Sequence, residues 1–267
     1  MTDKPKRIVL ITGASGGIGL AAAKLFFANG DRVYGLSRRP CPEEGIESIC
    51  ADVTDEAAVR NAIKTVVSRE GRLDVLVFNA GFGISGAVEF TAYADSKRQF
   101  DVNFFGTSNC IRAALPEMRR QGSGMIIVTS SVAGMLSIPF QAYYSASKAA
   151  LNSLVLATAN EVRPYGVRVA AIMPGDIKTG FTAARTKSIA GSSDYAALSK
   201  SVATMERDEQ NGMSPDVIAR CMYSVSRKRN PKPLRSVGLQ YKACCLLGKF
   251  LPCRLSNWIV GKMYASK

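Results

Sequence analysis

Histidine is absent from this chain of 267 residues, and tryptophan occurs only once. Without histidine, Ser-His-Asp and Cys-His hydrolases are excluded, and Tyr, Lys, Asp and Glu remain as the acid–base candidates. The chain also lacks any apolar run approaching the ~20 residues of a membrane-spanning helix. The short apolar stretch at residues 8–11 carries no cleavage pattern, so we interpret it as a strand and not as part of a signal peptide.

The cysteine pattern argues against two further classes of protein. The chain has 7 cysteines, an odd number, scattered without a Cys-x-x-Cys pair. With no histidine to assist them, neither a zinc site nor a disulfide framework is expected. Such cysteine usage fits a reducing compartment. We therefore predict a cytoplasmic protein without a metal cofactor.

Short apolar runs rich in β-formers alternate with helix-length segments, which is the pattern of βαβ units and a mostly parallel sheet. The predicted strands lie near residues 7–12, 32–37, 46–51, 74–78, 125–130, 166–172 and 234–238. The predicted helices lie near residues 17–28, 55–70, 96–121, 142–164 and 215–228. We predict an α/β fold, a doubly wound Rossmann sheet of about seven strands with helices on both faces. Residues 1–267 are predicted to form a single domain, with a substrate lobe at about 176–212.

A glycine-rich turn follows the strand-like run that ends at Thr12. Glycines allow a tight turn and let backbone N–H groups approach a pyrophosphate, and the N-terminus of the next helix adds partial positive charge. The setting between a strand and a helix favours a dinucleotide-binding turn over an ordinary strand–helix turn. The residues expected to bind the cofactor here are Gly13, Ser15, Gly17, Ile18 and Gly19.

The end of the second predicted strand indicates which nicotinamide cofactor binds. In dinucleotide folds an acid at this point accepts hydrogen bonds from the ribose of NAD. Here the chain has Ser37, Arg38 and Arg39, and the next acid is Glu43. Two guanidiniums can hold a 2′-phosphate in a bidentate way, so we favour NADP(H) over NAD(H). The alternative is a pair of solvated surface arginines.

Ser131, Tyr144 and Lys148 form a second group, one that can act on a carbonyl. Tyr144 and Lys148 are four residues apart on a predicted helix, so their side chains share a face. A free phenol has a pKa near ~10, and a neighbouring cation, helped by a positive nicotinamide ring, is expected to lower it. Tyr144 would then exchange a proton with the carbonyl oxygen, and Ser131 would donate a hydrogen bond to that oxygen. Tyr143 is a weaker candidate because the residue four positions later, Ser147, has no charge.

The order of the motifs is more specific than any one of them, since a Tyr-x-x-x-Lys pair alone occurs on many exposed helices. The set, in chain order, is Thr12-Gly13-x-x-x-Gly17-Ile18-Gly19, Asp52-Val53, Asn79-Ala80-Gly81, Asn103, Ser131, Tyr144-x-x-x-Lys148, and Pro174-Gly175 leading to Thr179. These motifs, which cover residues 7 to about 180, resemble those of the short-chain dehydrogenase/reductase family. Within that family, the motifs are most similar to those of the hydroxysteroid and retinol dehydrogenase-like members. The resemblance implies an oxidoreductase that interconverts a ketone or aldehyde and an alcohol.

For the cofactor, the resemblance implies that Asp52 and Val53 contact the adenine and that the Asn79-Ala80-Gly81 backbone lines the cofactor channel. Lys148 would bond the nicotinamide ribose. Thr179 and the backbone around Ile177 would fix the carboxamide, and Pro174 and Gly175, which lead to Thr179, are also expected to bind the cofactor.

For catalysis and assembly, the resemblance implies two further features. Asn103 would hold a water that joins Lys148 to solvent, which completes a proton relay with Tyr144. Family members usually pair through the helices that begin near Ser96 and Tyr144. We therefore expect a homodimer or homotetramer.

Residues expected near the catalytic motifs are mostly apolar, which favours an apolar small-molecule substrate. They include Phe82, Met135 and Phe140, and no Lys or Arg stands among them to hold a carboxylate or phosphate. We expect these side chains, with Ser131 and Tyr144, to surround a carbonyl or alcohol of the steroid, retinoid or lipid kind. Alternatively, about half of the apolar residues simply pack the core.

The basic C-terminal extension, residues 241–267, needs a partner of its own. From Arg220 to Lys267 the chain has eleven Lys and Arg and no Asp or Glu, in a protein of formal net charge +14. An apolar stripe at helical spacing accompanies the charge and consists of Leu251, Leu255, Trp258, Ile259 and Met263. One interpretation is peripheral contact with a membrane surface; the other is packing over the substrate lobe or a partner subunit. Nucleic acid is not expected, because no recognition motif accompanies the basic run.

A protein of another class could share these motifs: a non-catalytic dinucleotide-binding regulatory or scaffold protein on the same fold. Loss of a catalytic side chain would mark such a protein. Asn103, Ser131, Tyr144 and Lys148 are all present, so we expect an enzyme.

Overall fold

A computed structural model describes residues 6–188 and 190–265. The main-sheet strands are β1 (Ile8–Thr12), β2 (Arg32–Ser37), β3 (Glu47–Cys50), β4 (Val75–Phe78), β6 (Gly124–Thr129), β7 (Val167–Met173) and β9 (Leu234–Ser236). Two short strands, β5 (Ile84–Ser85) and β8 (Thr186–Lys187), form a separate parallel pair. The helices are α1 (Gly17–Ala28), α2 (Glu56–Glu70), α3 (Tyr93–Phe100), α4 (Gly106–Gln121), α5 (Ala142–Glu161), α6 (Phe181–Ala184), α7 (Leu198–Gln210), α8 (Pro215–Ser226), α9 (Leu239–Phe250) and α10 (Cys253–Tyr264).

The main sheet is parallel throughout, with the strand order β3-β2-β1-β4-β6-β7-β9. All residues of β1, β4 and β6 are buried, because a parallel sheet is covered by helices on both faces. Helices α1 and α8 cover one face, and helices α2, α4 and α5 cover the other. The predicted doubly wound α/β fold, a single Rossmann-like domain, is confirmed.

The helix predicted at residues 96–121 is not continuous. The structure has α3, then a π-helical turn at Asp101–Phe105, and then α4. Hydrophobic periodicity does not distinguish the wider π turn from the α-helix around it, so the change could not be predicted from the sequence. Such turns are rare and often lie at functional sites.

Two predicted segments proved more regular than their composition suggested. The substrate lobe at 176–212 contains α6, β8 and α7, although Ile189 lies outside the described residues. The C-terminal extension forms α9 and α10, and Leu251 lies in the turn between them. Residues 1–5 and 266–267, which include Lys267, also lie outside the described residues. Among the described helices, none has both the length and the apolar character needed to span a bilayer.

Candidate active site

The carboxyl ends of the central strands meet at one edge of the sheet. Strand order reverses between β1 and β4, so the loops that follow these strands diverge and leave a crevice. A cleft with a volume of about 570 Å³ occupies this crevice. Open α/β sheets bind their ligands at such a point. The fold therefore brings the glycine-rich turn and the Tyr144–Lys148 pair to one cleft.

The glycine-rich turn after β1 forms part of the cleft wall. Gly13 and Gly17 have positive φ angles of 68° and 54°, which L side chains rarely adopt. A Cβ atom on Gly19 would lie 2.2 Å from the Gly13 carbonyl oxygen, so only glycine permits this close approach. Helix α1 begins at Gly17, and its N-cap residue Gly16 contributes no side-chain hydrogen bond. The first N–H groups of α1 can therefore receive a phosphate group, and Ser15 and Ile18 line the cleft beside them.

Thr12, the last residue of β1, fixes the end of the neighbouring strand. Its hydroxyl oxygen accepts hydrogen bonds from the backbone N–H groups of Asn79 at 2.9 Å and Ala80 at 3.0 Å. The side-chain oxygen of Asn79 accepts a bond of 3.2 Å from the Thr129 hydroxyl. These bonds hold the segment 79–81 along the cleft wall. The hydroxyl of Thr12 is thus a structural part of the site.

The residues after β2 line the same cleft together with Asp52 and Val53. The Ser37 hydroxyl donates a 2.7 Å hydrogen bond to the backbone carbonyl of Arg39. Arg38 and Arg39 are exposed, and neither guanidinium forms an ion pair with any residue that the structure describes. Two guanidiniums without an ion-pair partner in the described residues thus stand beside the cleft, where they can bind a phosphate group. The donor set therefore fits a nicotinamide dinucleotide.

Helix α5 directs Tyr144 and Lys148 into the cleft. The Lys148 ammonium nitrogen lies 5.7 Å from the centre of the Tyr144 ring. It donates a 2.9 Å hydrogen bond to the backbone carbonyl of Thr129, at the end of β6. The Ser130 hydroxyl in turn donates to the Lys148 carbonyl at 3.2 Å. These bonds tie the catalytic helix to the sheet and fix the position of the lysine.

Ser131 follows β6 and faces the cleft from the other side of Tyr144. Its side-chain oxygen accepts a 3.1 Å hydrogen bond from the backbone N–H of Ala133. Its O–H lies 3.4 Å from the Pro174 carbonyl oxygen, and the hydroxyl also forms a hydrogen bond with Tyr144. The backbone bond therefore holds the hydroxyl beside Tyr144, where it can donate to a substrate oxygen.

The two ionisable groups have shifted pKa values. Desolvation by the surrounding protein raises the pKa of Tyr144 to about 12, although a hydrogen bond with Ser131 acts in the opposite direction. Burial lowers the pKa of Lys148 to about 8. The expected lowering of the Tyr144 pKa by its lysine neighbour is not found: burial raises this pKa, and Lys148 is not among the groups that shift it. At neutral pH Tyr144 is a phenol and Lys148 is mostly an ammonium. Tyr144 can therefore donate a proton, and Lys148 provides a positive charge beside it.

Asn103 lies in the π-helical turn and is fully buried behind the cleft wall. Its side-chain oxygen accepts from the Phe82 N–H at 3.1 Å, and its side-chain N–H₂ donates to the Phe82 carbonyl at 3.1 Å and to the Ser147 hydroxyl at 3.1 Å. A Cβ atom on Gly81 would lie 3.1 Å from the Asn103 oxygen and 3.8 Å from the Lys148 ammonium nitrogen. Asn103 and Lys148 therefore both lie close to Gly81.

The loop after β7 supplies the remaining predicted cofactor residues, Pro174, Gly175, Ile177 and Thr179, all of which line the cleft. Thr179 reaches across to the glycine-rich turn, because a Cβ atom on Gly17 would lie 3.5 Å from the Thr179 Cβ. This loop and the turn after β1 therefore face each other across the cleft.

On the substrate side, aromatic rings flank the tyrosine. The Phe181 ring centre lies 5.8 Å from that of Tyr144, and Phe82 also lines the cleft. Met135 and Phe140, which the sequence analysis placed here, are not among the residues that line the cleft. Phe140 has a positive φ angle of 61°, and its ring packs against Tyr195 with centres 6.1 Å apart. The backbone at this position therefore turns the phenyl ring toward the lobe.

Several charged residues of the cleft were not foreseen from the sequence. Arg98, Asp176 and Glu209 all line it. Glu209 forms an ion pair with Arg185, whose side chain is only 1% exposed. The Asp176 carboxylate accepts a 2.6 Å hydrogen bond from the Tyr241 hydroxyl, and burial raises the pKa of Asp176. Glu209 lies in α7, far along the chain from every motif, so no sequence pattern connects it with the site.

A family model described as "short chain dehydrogenase" matches residues 7–190, which is more than half of the chain. This chain belongs to the short-chain dehydrogenase family. It is therefore an oxidoreductase that acts on CH–OH groups or the corresponding carbonyls. No group of three or more Cys, Asp or Glu side chains in the described residues is arranged to hold a metal ion.

The short-chain dehydrogenase is similar over almost its whole length to a relative of named activity. The "3-ketodihydrosphingosine reductase" of Bacteroides thetaiotaomicron is 39% identical over 264 residues, which is 97% of this chain and 98% of the relative. The crystal structure of a short-chain dehydrogenase from Streptomyces avermitilis has a TM-score of 0.86 and 30% identity, and covers 98% of each chain. The structure of "ElxO with NADP Bound" has a TM-score of 0.74 and 28% identity, and covers 89% of this chain and 99% of ElxO. The first two similarities include the C-terminal helices.

Proposed function

We propose that this dehydrogenase uses NADPH to reduce the ketone of an apolar, long-chain lipid substrate. One observation carries the proposal: a protonated Tyr144 and a hydrogen-bonding Ser131 face an aromatic-walled cleft that continues to the glycine-rich turn. The similarity to the Bacteroides 3-ketodihydrosphingosine reductase over nearly the whole chain supports a keto lipid as substrate. A steroid ketone is the second substrate class that such a cleft would suit.

A nicotinamide cofactor, when bound in this cleft, would supply the hydride for the carbonyl carbon. The residues of the chain orient the carbonyl and handle the proton. Ser131 donates a hydrogen bond to the carbonyl oxygen and polarises it. Tyr144 donates its phenolic proton to the same oxygen, which gives the alcohol.

The phenolate that remains on Tyr144 is stabilised by the Ser131 hydroxyl and by the positive charge of Lys148. Asn103 lies near Gly81, as Lys148 does, and in this proposal it positions the water through which a proton returns. Burial raises the pKa of Tyr144 to about 12, so at neutral pH Tyr144 carries the proton that reduction requires.

Two carboxylates in the cleft support a substrate that carries a polar head as well as an apolar chain. Asp176 and Glu209 can accept hydrogen bonds from an amine or a hydroxyl, whereas a steroid ketone needs neither. A dihydrosphingosine-type ketone has both groups close to its carbonyl. Glu209 is partly neutralised by Arg185, so Asp176 is the stronger candidate for the amine.

The test is a turnover assay with 3-ketodihydrosphingosine, a neutral long-chain ketone and a steroid ketone, each with NADPH and with NADH. The expected result is highest kcat/KM for the amino ketone with NADPH. Asp176→Asn should raise KM for the amino ketone and leave that for the neutral ketone unchanged. A steroid preference would reject the lipid assignment, and an NADH preference would reject the cofactor assignment.

For assembly and location, we propose a homodimer in a reducing compartment such as the cytoplasm. Phe105, at the end of the π-helical turn before α4, is 53% exposed, and Leu156 on α5 is 41% exposed, as residues of a subunit interface would be before pairing. All 7 cysteines are free thiols, which suits such a compartment. Light scattering should give twice the chain mass, and Leu156→Glu should reduce it to one chain. Cell fractionation tests the location.

A further inference from the structure

Helix α9 packs against the rim of the catalytic cleft through one face only. The Tyr241 hydroxyl on this face donates its hydrogen bond to Asp176, and Cys245 is buried at 5% exposure. Gly248 continues the same face, and a Cβ atom there would lie 3.0 Å from a methyl carbon of Leu136. These three residues recur at intervals of four and three, as one side of a helix does. The helix is thus anchored to residues beside the active site.

The opposite face of α9 is apolar and points to solvent. Its large side chains and their exposed fractions are Leu239 86%, Leu246 58%, Leu247 57% and Phe250 79%. They follow one another at intervals of seven, one and three residues, which places them on one broad stripe. A helix on the surface of a globular protein normally turns its apolar stripe toward the core. Helix α9 shows the reverse arrangement.

Helix α10 repeats this arrangement. Leu255, Ile259 and Met263 recur every four residues and are 43%, 37% and 61% exposed. Trp258 stands one turn before Lys262, is 59% exposed, and has the Lys262 ammonium nitrogen 5.9 Å from its ring centre. Helix α10 contacts α7 of the substrate lobe, yet these four side chains of the stripe predicted from the sequence remain 37–61% exposed. Large exposed apolar surfaces of this kind mark sites of protein or membrane interaction.

The charge around the apolar stripes of α9 and α10 favours a membrane over a second copy of the protein as the binding partner. Lys242, Lys249 and Arg254 are exposed, and none forms an ion pair within the described residues. The last 48 residues contain no acid, so two copies of this surface would repel each other. A surface with exposed aromatic and aliphatic side chains among basic ones is complementary to the headgroup region of an anionic bilayer.

We infer that α9 and α10 form a docking surface for an anionic membrane. Their apolar stripes enter the headgroup region, and Lys242, Lys249 and Arg254 contact lipid phosphates. Because Tyr241 joins α9 to the cleft residue Asp176, docking brings the cleft close to the bilayer. If the proposed function holds, a keto lipid can then pass from the membrane to Tyr144 without crossing water.

The test is flotation of the full-length protein with vesicles of phosphatidylcholine alone or mixed with phosphatidylglycerol. Wild-type protein is expected to float with the mixed vesicles only, and less at high salt. The double variant Leu246→Glu/Phe250→Glu and the double variant Lys242→Gln/Lys249→Gln should each bind about tenfold more weakly or worse.

Two matched variants serve as controls. Val88→Glu places a charge at another apolar residue, 56% exposed, and Lys6→Gln/Lys64→Gln removes two basic charges elsewhere. Both should float like the wild type. The inference is overturned if the wild type does not float with either vesicle, or if the two α9 double variants float as well as these controls. It is also overturned if Leu246→Glu/Phe250→Glu dissociates a dimer, since the stripe would then be a subunit interface.

A separate assay with substrate dispersed in detergent distinguishes this inference from the proposed function. Failure to float with normal turnover in detergent rejects membrane docking alone. Flotation without turnover of any lipid ketone rejects the proposed function alone. Both proposals are supported if the wild type floats and turns over the lipid ketone, and if the two α9 double variants lose turnover only when the substrate is presented in vesicles.

Discussion

The ammonium nitrogen of Lys148 lies 5.7 Å from the centre of the Tyr144 ring, one helical turn away on α5. Lys148 is held there by the Thr129 carbonyl and is only 5% exposed. A buried cation at this distance stabilises the phenolate that Tyr144 becomes after it donates its proton. The pair therefore determines which single changes should stop the reaction.

Tyr144→Phe should lower kcat by about 100-fold or more, because it removes the proton donor and leaves the cleft shape unchanged. NADPH binding, measured by fluorescence titration, should stay within about twofold of wild type. Tyr143→Phe is the matched control, since Tyr143 does not line the cleft. Equal losses in the two variants would show that the hydroxyl of Tyr144 is not the proton donor.

The pH dependence of reduction should reflect Lys148. Burial lowers its pKa to about 8, so the ammonium form dominates below that pH and is lost above it. We expect kcat/KM for reduction to be flat near neutral pH and to fall above about pH 8. In Lys148→Arg the guanidinium stays charged throughout this range. The kcat/KM that remains in this variant should therefore not fall above about pH 8. A decline at the same pH in Lys148→Arg would assign it to another group.

Lys148→Met should inactivate the enzyme and yet stabilise it. Because the folded-state pKa lies below the ordinary value of 10.5, the charged lysine destabilises the fold below about pH 8. That destabilisation fades between about pH 8 and 10.5, where the folded state loses its proton first. Urea unfolding near pH 7 should show a gain of up to about 3 kcal/mol, and a smaller gain near pH 10. The exposed control Lys64→Met should change the free energy of unfolding by less than about 0.5 kcal/mol at both pH values.

Arg38→Ala and Arg39→Ala should each raise KM for NADPH by about tenfold, because each removes a charge-assisted contact with the 2′-phosphate. KM for NADH should change little. Arg120→Ala on α4 controls for loss of an exposed arginine, because Arg120 does not line the cleft. If KM rose equally for NADPH and NADH, these arginines would not bind the 2′-phosphate.

Gly19→Ala should abolish NADPH binding and lower the free energy of unfolding by about 1–3 kcal/mol. Its Cβ atom would lie 2.2 Å from the Gly13 carbonyl oxygen, and backbone must shift to admit it. Gly261→Ala is the control, because a Cβ atom there meets nothing within 4 Å. Normal NADPH titration of Gly19→Ala would show that the turn tolerates a side chain.

Local patterns in the sequence were sufficient for the fold. Apolar runs buried on both faces identify parallel strands, and the glycine-rich turn between β1 and α1 has backbone angles that its glycines allow. The same patterns did not reveal the π-helical turn at Asp101–Phe105, since it replaces a helix with a slightly wider one. They also missed the positive φ angle of Phe140, which turns that side chain away from the cleft.

The sequence by itself determined which chemical groups are available: a phenol and a lysine one turn apart, a serine, and glycines that admit a phosphate. Spacing along one helix or one turn is a local property, so it can be deduced without coordinates. Only the tertiary structure decided that Asp176 and Glu209 share the cleft with Tyr144, and that burial raises the Tyr144 pKa to about 12. It also decided that the stripes of α9 and α10 face outward. Burial and contact between distant segments depend on how the whole chain packs, and no local pattern encodes them.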